Sequence, residues 1–173
     1  AKKPDAYAVY LNQSGLGLPD RDYYLKEGQT YQDYRAAYRG YIEKLLTLAG
    51  VANARPRADS VLALETRIAR AHWPAEQTRD AEATYNPLTI DALAAEAPEF
   101  DWASFAKAAG IDQAATIVVA QRSAFPKLAK LAGYTSLEVW KAYLTFHTLD
   151  RAAAFLPKAF DEANFEFRGK AMG

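Results

Sequence analysis

Cysteine is absent from this 173-residue chain, which excludes a disulfide framework, a thiolate metal site and a cysteine nucleophile. Histidine is nearly so: His72 and His147 are the two present. No apolar run approaches the length of a membrane span, and no charged, apolar and small-residue succession at the start reads as a signal peptide. The first residue is alanine rather than methionine, as expected of a processed or excised piece. Excess charge is missing too. Lysine plus arginine and aspartate plus glutamate are each 21, so the net charge is zero, which argues against nucleic-acid binding by counterion release and against attraction to an anionic membrane. What remains is a chain that is 50% hydrophobic, long enough for one domain burying roughly 70% of its unfolded surface.

The most informative stretch is LNQSGLGLPDRDYYL, Leu11 to Leu25. Gly15 and Gly17 permit positive φ, and Pro19 fixes its own φ while biasing Leu18 toward an extended shape, so the run reads as a specified loop. Asp20, Arg21 and Asp22 supply turn partners, and Tyr23 and Tyr24 need an apolar wall for their rings and a polar partner for their hydroxyls. Before the loop, Ala6 to Leu11 reads as a strand. After it, Thr30 and Asp33 form a capping box opening a helix whose stripe of Tyr31, Tyr34, Tyr38, Tyr41, Ile42, Leu45 and Leu48 ends at Gly50. Pro56 to His72 repeats the pattern with Val61, Leu62, Ile68 and Ala69, and Pro74 stops it, giving a helical hairpin. Glu65 falls between apolar turns and reads as an exposed or i,i+4-paired flank.

Farther on, Arg79, Asp80, Tyr85, Asn86 and Pro87 read as an ordered connection. Thr89 to Glu96 is a short helix, Asp101 precedes another that Gly110 closes, and Thr116 to Ala120 is a β-branched run that pairs with the strand before the loop. Ser123 to Leu131 is helical. A second capping box, Thr135 with Glu138, opens a helix through Trp140 and Leu144 to about Arg151, and Pro157 begins or kinks a last one with Phe160, Ala163, Asn164, Phe167 and Ala171 on its packed side. The fold class expected is mainly α, a helical bundle-like unit over residues 1–173 with at most a small two-stranded β element.

The chemistry-bearing residues converge poorly. Neither histidine lies in an HExxH pattern, and although His72 and Glu76 are four apart, Pro74 breaks the helix that would align them; a packed or capping role is the reading for both. His147 and Asp150 are read as a helix-surface pair, with no serine in a strained nucleophile turn. Asp20 and Asp22 have Arg21 and Arg79 to neutralise them, which suits an ion pair fixing the loop better than acid–base work. Gly15-Leu16-Gly17 lacks the third glycine of a dinucleotide fingerprint, and the tyrosine stripe has the spacing of a packing face.

The loop resembles the GLGLPxRDYY segment of the neprilysin and endothelin-converting-enzyme family of zinc metallopeptidases. Arg79-Asp80, YNPLT at Tyr85 to Thr89, FDW at Phe100 to Trp102, TIVVA at Thr116 to Ala120 and WKAYL at Trp140 to Leu144 follow in the same order. The resemblance covers almost the whole chain but an internal piece of the family's, from its N-terminal helical cap region. It implies a noncatalytic cap portion that limits substrate access to the chamber of a peptide-hydrolysing zinc endopeptidase. It also implies zinc in the parent and none held here, the catalytic domain of the same parent chain as partner, and peptides as the parent's substrates. Gly15, Gly17, Pro19, Arg21, Asp22, Tyr23, Arg79, Asp80, Tyr85 and Asn86 would serve architecture, with no catalytic or metal residue in the piece. Ser14-Gly15 stands where some relatives place Pro-Arg. A cysteine-free version looks bacterial, with a periplasmic or extracellular location. The alternative reading is a free-standing helical protein-interaction domain. The chain alone is expected to show no peptidase activity with added zinc, and a chelator should leave its circular-dichroism helicity unchanged; metal-dependent melting would contradict this.

Overall fold

The structure, a computed structural model, describes residues 8–172. In chain order the elements are β1 (Val9–Leu11), α1 (Asp22–Leu25), α2 (Gln29–Leu48), α3 (Ala54–Ala71), α4 (Ala75–Thr78), β2 (Pro87–Leu88), α5 (Ile90–Glu96), α6 (Trp102–Ala108), β3 (Ile117–Val119), α7 (Phe125–Tyr134), α8 (Leu137–Ala152) and α9 (Lys158–Phe165). A 3₁₀ turn at Ala153–Phe155 follows α8, and a π-helical turn at Glu166–Ala171 follows α9. The chain divides into two compact units, Ala1–Gly15 with Ala71–Tyr134, and Leu16–Arg70 with Thr135–Gly173. The expected helical class holds. Ala6 and Tyr7 of the expected first strand lie outside the described residues.

In the first unit β3 is the centre of a sheet ordered β1-β3-β2. β1 runs parallel to it, with Val9 opposite Ile117 and Leu11 opposite Val119, as the β-branched run predicts. The sheet has three strands rather than two, because Pro87 and Leu88 pair antiparallel with Val118 and Ile117. Two residues carry no readable alternation, and a proline is tolerated there because it sits on an edge. Asn86 fixes this edge: its carbonyl accepts from Val119 N at 2.9 Å and its side-chain amide donates to the carbonyls of Ala83 (2.8 Å) and Val119 (3.1 Å). Ile117 and Val119 pack with Leu93, Ala97, Trp102, Phe125 and Ala129, and the Trp102 indole N–H, which needs a partner once buried, donates to Ala97 O at 2.8 Å. Gln13 brackets Trp73, accepting from its N–H at 2.7 Å and donating to its carbonyl at 3.1 Å.

In the second unit α2 and α3 form the expected hairpin. Its turn is a Schellman motif: Gly50 (φ 72°) donates to Thr47 O and Val51 to Leu46 O. The stripe predicted on α2 is buried at Tyr38, Tyr41, Ile42 and Leu45, while Tyr31 and Tyr34 are half-buried. Phe160, Ala163 and Phe167 are buried on the last helical stretch, and the Phe167 ring stacks on Tyr41 at 4.7 Å. Neither capping box forms as expected. Gly28 rather than Thr30 occupies the N-cap of α2, so the cap falls two residues earlier and Asp33 accepts from the Gln29 side chain instead. Ser136 occupies the N-cap of α8, and Glu138 turns to Lys141 at 2.9 Å.

Candidate functional site

The densest polar cluster lies in the second unit, around Glu65. Its place on α3, one turn after Val61 and beside Leu64, points it inward with the apolar stripe, and it is fully buried. A carboxylate there must be satisfied by donors, and four segments supply them. The Tyr24 hydroxyl of α1 donates to Glu65 Oε2, the Tyr38 hydroxyl of α2 lies 2.9 Å from both oxygens, Gly17 N donates to Oε2 at 3.1 Å, and His147 Nε2 of α8 lies 2.9 Å from Oε1. The Tyr24 oxygen also accepts from Gly17 N and Leu18 N, at 3.1 and 2.9 Å, tying the loop to the same point. With hydroxyl and amide hydrogens already aimed at the carboxylate, it acts as an acceptor, and His147 Nε2 carries a hydrogen toward it.

Electrostatics follow from this geometry. Burial, then the charge of Glu65, pushes the Tyr24 and Tyr38 phenols far above the ordinary tyrosine range. The same two causes, in that order, push Tyr143 up to about 12. A smaller cluster ties α2, α8 and α9. Asp150 accepts from the Tyr41 hydroxyl at 2.6 Å and pairs with Arg168 at 2.7 Å, and Asn164 donates to the Tyr41 oxygen at 2.8 Å.

Glu65 is therefore no exposed flank, and His147 and Asp150 are not a surface pair with each other. Each faces a different neighbour because the two side chains, three residues apart on α8, look toward α3 and α2 respectively. The loop aspartates also differ from expectation. Asp22 pairs with Lys26 at 2.9 Å, Asp20 accepts from Asp22 N at 2.7 Å, and Arg21 Nε donates to Ala69 O at 3.2 Å rather than to a carboxylate.

Gly15 has φ 102°, a conformation L side chains rarely adopt. A Cβ on Gly17 would lie 2.6 Å from Tyr38 Cζ and closer still to its hydroxyl, so only glycine lets the loop approach. Pro19 is exposed beside buried Leu18. The Tyr23 ring meets Tyr31 and Tyr34 at 5.8 and 5.4 Å. Arg79 is exposed at the end of α4, Asp80 caps the next turn by accepting from Glu82 N and Ala83 N, and Tyr85 is half-buried before Asn86. Gly17 thus belongs to the Glu65 cluster, whereas the Arg79 to Asn86 run serves the first unit's sheet edge. The association of Glu65 with Tyr38 and His147 escaped sequence reading; an acidic residue in register with an inward apolar stripe was the available signal.

Zinc needs three or four converging ligands. Among the described residues no group of three or more His, Cys, Asp or Glu could hold a metal ion. Glu65 and His147 do not fit one either, since both carboxylate oxygens are already engaged by tyrosines and backbone. The cluster can clamp. It presents no open position for a substrate.

Fold and cluster together define a helical framework region, stapled through a buried carboxylate. The family model described as peptidase family M13 matches residues 1–173, and the chain belongs to that family. It is similar to endothelin-converting enzyme 1 of Rattus norvegicus, 28% identical over 96% of this chain and 23% of that protein, and to an endothelin-converting enzyme homolog of Locusta migratoria, 30% identical over 96% and 25%. Among solved structures it is similar to the zinc metalloprotease Zmp1 of Mycobacterium tuberculosis in complex with inhibitor, with 34% identity, TM-score 0.88, and coverage of 95% of this chain and 25% of that one. The open state of that protease matches with TM-score 0.89 over 96% and 26%. The chain thus spans about a quarter of the relatives' length, and the resemblance carried by the GLGLP loop stands.

Replacing Glu65 by alanine removes the shared acceptor of the buried Tyr24 and Tyr38 hydroxyls, His147 and the Gly17 N–H, and is expected to cost on the order of 3–5 kcal/mol, read from the urea midpoint. A loss no larger than an exposed-site substitution would show that the carboxylate is not the staple. Tyr24, Tyr38 and Tyr143 hold their protons more tightly folded than unfolded, so the stability they contribute is intact below the ordinary phenol value of 10.0 and lost as pH rises through the folded values. Melting temperature should accordingly fall above pH of about 10, with tyrosinate absorbance from Tyr24 and Tyr38 appearing only with unfolding.

Proposed function

We propose that this chain is a noncatalytic part of the helical cap of a neprilysin-like zinc metalloendopeptidase. In this reading residues 1–173 act as one region of the cap that limits which peptides enter the catalytic chamber. The similarity to one quarter of a zinc metalloprotease over 95% of the chain, at 34% identity, carries the reading. The Glu65 cluster supports it, because a wall that discriminates by exclusion has to keep its shape, and a buried carboxylate engaged from four segments resists slippage of any of them. Zinc and the water it activates belong, on this reading, to other residues of the parent. Gly15, Gly17, Pro19, Arg21, Asp22, Tyr23, Arg79, Asp80, Tyr85 and Asn86 are architectural. The partners are the catalytic domain of the same polypeptide and peptide substrates, in a periplasmic or extracellular setting. Among the described residues no helix is long and apolar enough to cross a membrane.

The test uses the parent polypeptide and a ladder of peptides of increasing length. kcat/KM is expected to fall with length, and loosening the wall by Glu65→Ala, or by Gly17→Ala as an independent route, should raise the long-to-short ratio. A length profile identical in parent and variants would defeat the exclusion reading.

A further inference from the structure

α8 is apolar on two sides. Ala142, Tyr143 and Phe146 are buried in the second unit, whereas Leu137 and Leu144, seven residues and two helical turns apart, are 68% and 59% exposed. Phe155, in the 3₁₀ turn that follows, is 90% exposed. Thr148 lies on the same line by its four-residue spacing from Leu144, with Lys141 to one side of it and Arg151 to the other, and all three are exposed. Single exposed hydrophobic residues are ordinary, but three large ones aligned on one helix and its extension make a stripe.

We propose that this stripe, Leu137, Leu144 and Phe155 bordered by Lys141 and Arg151, is the docking face for an apolar helical segment with an acidic flank, supplied by the remainder of the same parent polypeptide. The proposal rests on the cap reading above and names the surface through which that partner engages. Two observations select this occupant. The matching region is 25% and 26% of the solved Mycobacterium tuberculosis chains, so the larger part of each lies outside it and is available in cis at high effective concentration. The border carries the exposed Arg151, whereas Lys141 shares Glu138 at 2.9 Å, so a second copy would bring the same arginine to the same face, while an acidic flank complements it. An amphipathic helix read by anchors two turns apart is the mode this spacing serves.

The absence of cysteine makes the test direct, because Leu144→Cys or Phe155→Cys each adds one thiol to this chain. Both replaced side chains are exposed, so folding is preserved, and the two variants check one another. Maleimide labelling, resolved by peptide mass spectrometry and referred to the urea-unfolded protein, is measured in the 173-residue protein and in the uninterrupted parent polypeptide. The expected result is near-unfolded reactivity in the former and labelling about tenfold slower in the latter. Equal rates in the two would overturn the proposal. So would slowing in the 173-residue protein that grows with its own concentration, which assigns the stripe to a second copy. Zinc-dependent peptide hydrolysis by the same parent preparations reads the cap assignment separately: an active parent with freely reactive thiols removes the docking face and leaves the cap.

Discussion

A carboxylate removed from water is tolerated only when its lost hydration is replaced by fixed donors, and Glu65 meets that requirement from four directions. The loop contributes Gly17 N–H, α1 contributes Tyr24, α2 contributes Tyr38 and α8 contributes His147. Each donor, whether hydroxyl, amide or imidazole, has a geometry that tolerates little displacement, so satisfying one anion sets the relative register of the elements that carry them. The aromatic bodies of the donors extend the arrangement into the apolar core. Tyr38 meets Tyr24 edge-on at 6.4 Å, Phe146 at 5.7 Å and Phe167 at 5.5 Å. Packing and hydrogen bonding thus select the same arrangement, and a packing that left the carboxylate unpaired would cost several kcal/mol.

This constraint gives the GLGLP loop its physical reason. Gly17 is required by proximity, since its missing Cβ is the space into which the Tyr38 hydroxyl fits on its way to Glu65. Gly15 is required by conformation, at φ 102°. Leu18 follows as a buried anchor and Tyr24 closes the loop by accepting two of its backbone N–H groups. A motif with two glycines, a proline and charged neighbours invites a ligand-binding interpretation; here the groups that would hold a ligand hold one another. The Arg79 to Asn86 motif does equivalent work for the first unit, with Asp80 organising a turn and Asn86 joining it to β3.

A region built this way suits a role in which shape matters more than reactivity. Asp150 is engaged by Arg168 and Tyr41, and the polar atoms of the region's most buried cluster face inward. The outer line of α8 is the contrasting feature. Water gains nothing from Leu137, Leu144 and Phe155 at the surface, so the helix that helps close the Glu65 cluster on one side also offers apolar surface on the other.

Local chemistry was legible wherever a single element decides it. The α2 stripe, the Gly50 C-terminus, the short α5, the β-branched β3 and its pairing with β1, and the family resemblance in the loop could all be read from the order of residues, because helical period, turn preference and β propensity act within a few positions. The capping boxes at Thr30 and Thr135 went unused because Gly28 and Ser136 took the N-cap places, a competition between near-equal local options that packing resolves. The third strand, two residues long, exists only because β3 offers it an edge. The role of Glu65 was decided wholly in three dimensions. One helix shows an acidic residue among apolar turns, and its donors lie as far away in sequence as Gly17 and His147; whether such a charge is exposed or buried depends on whether distant segments bring it hydrogens, which only the folded chain arranges.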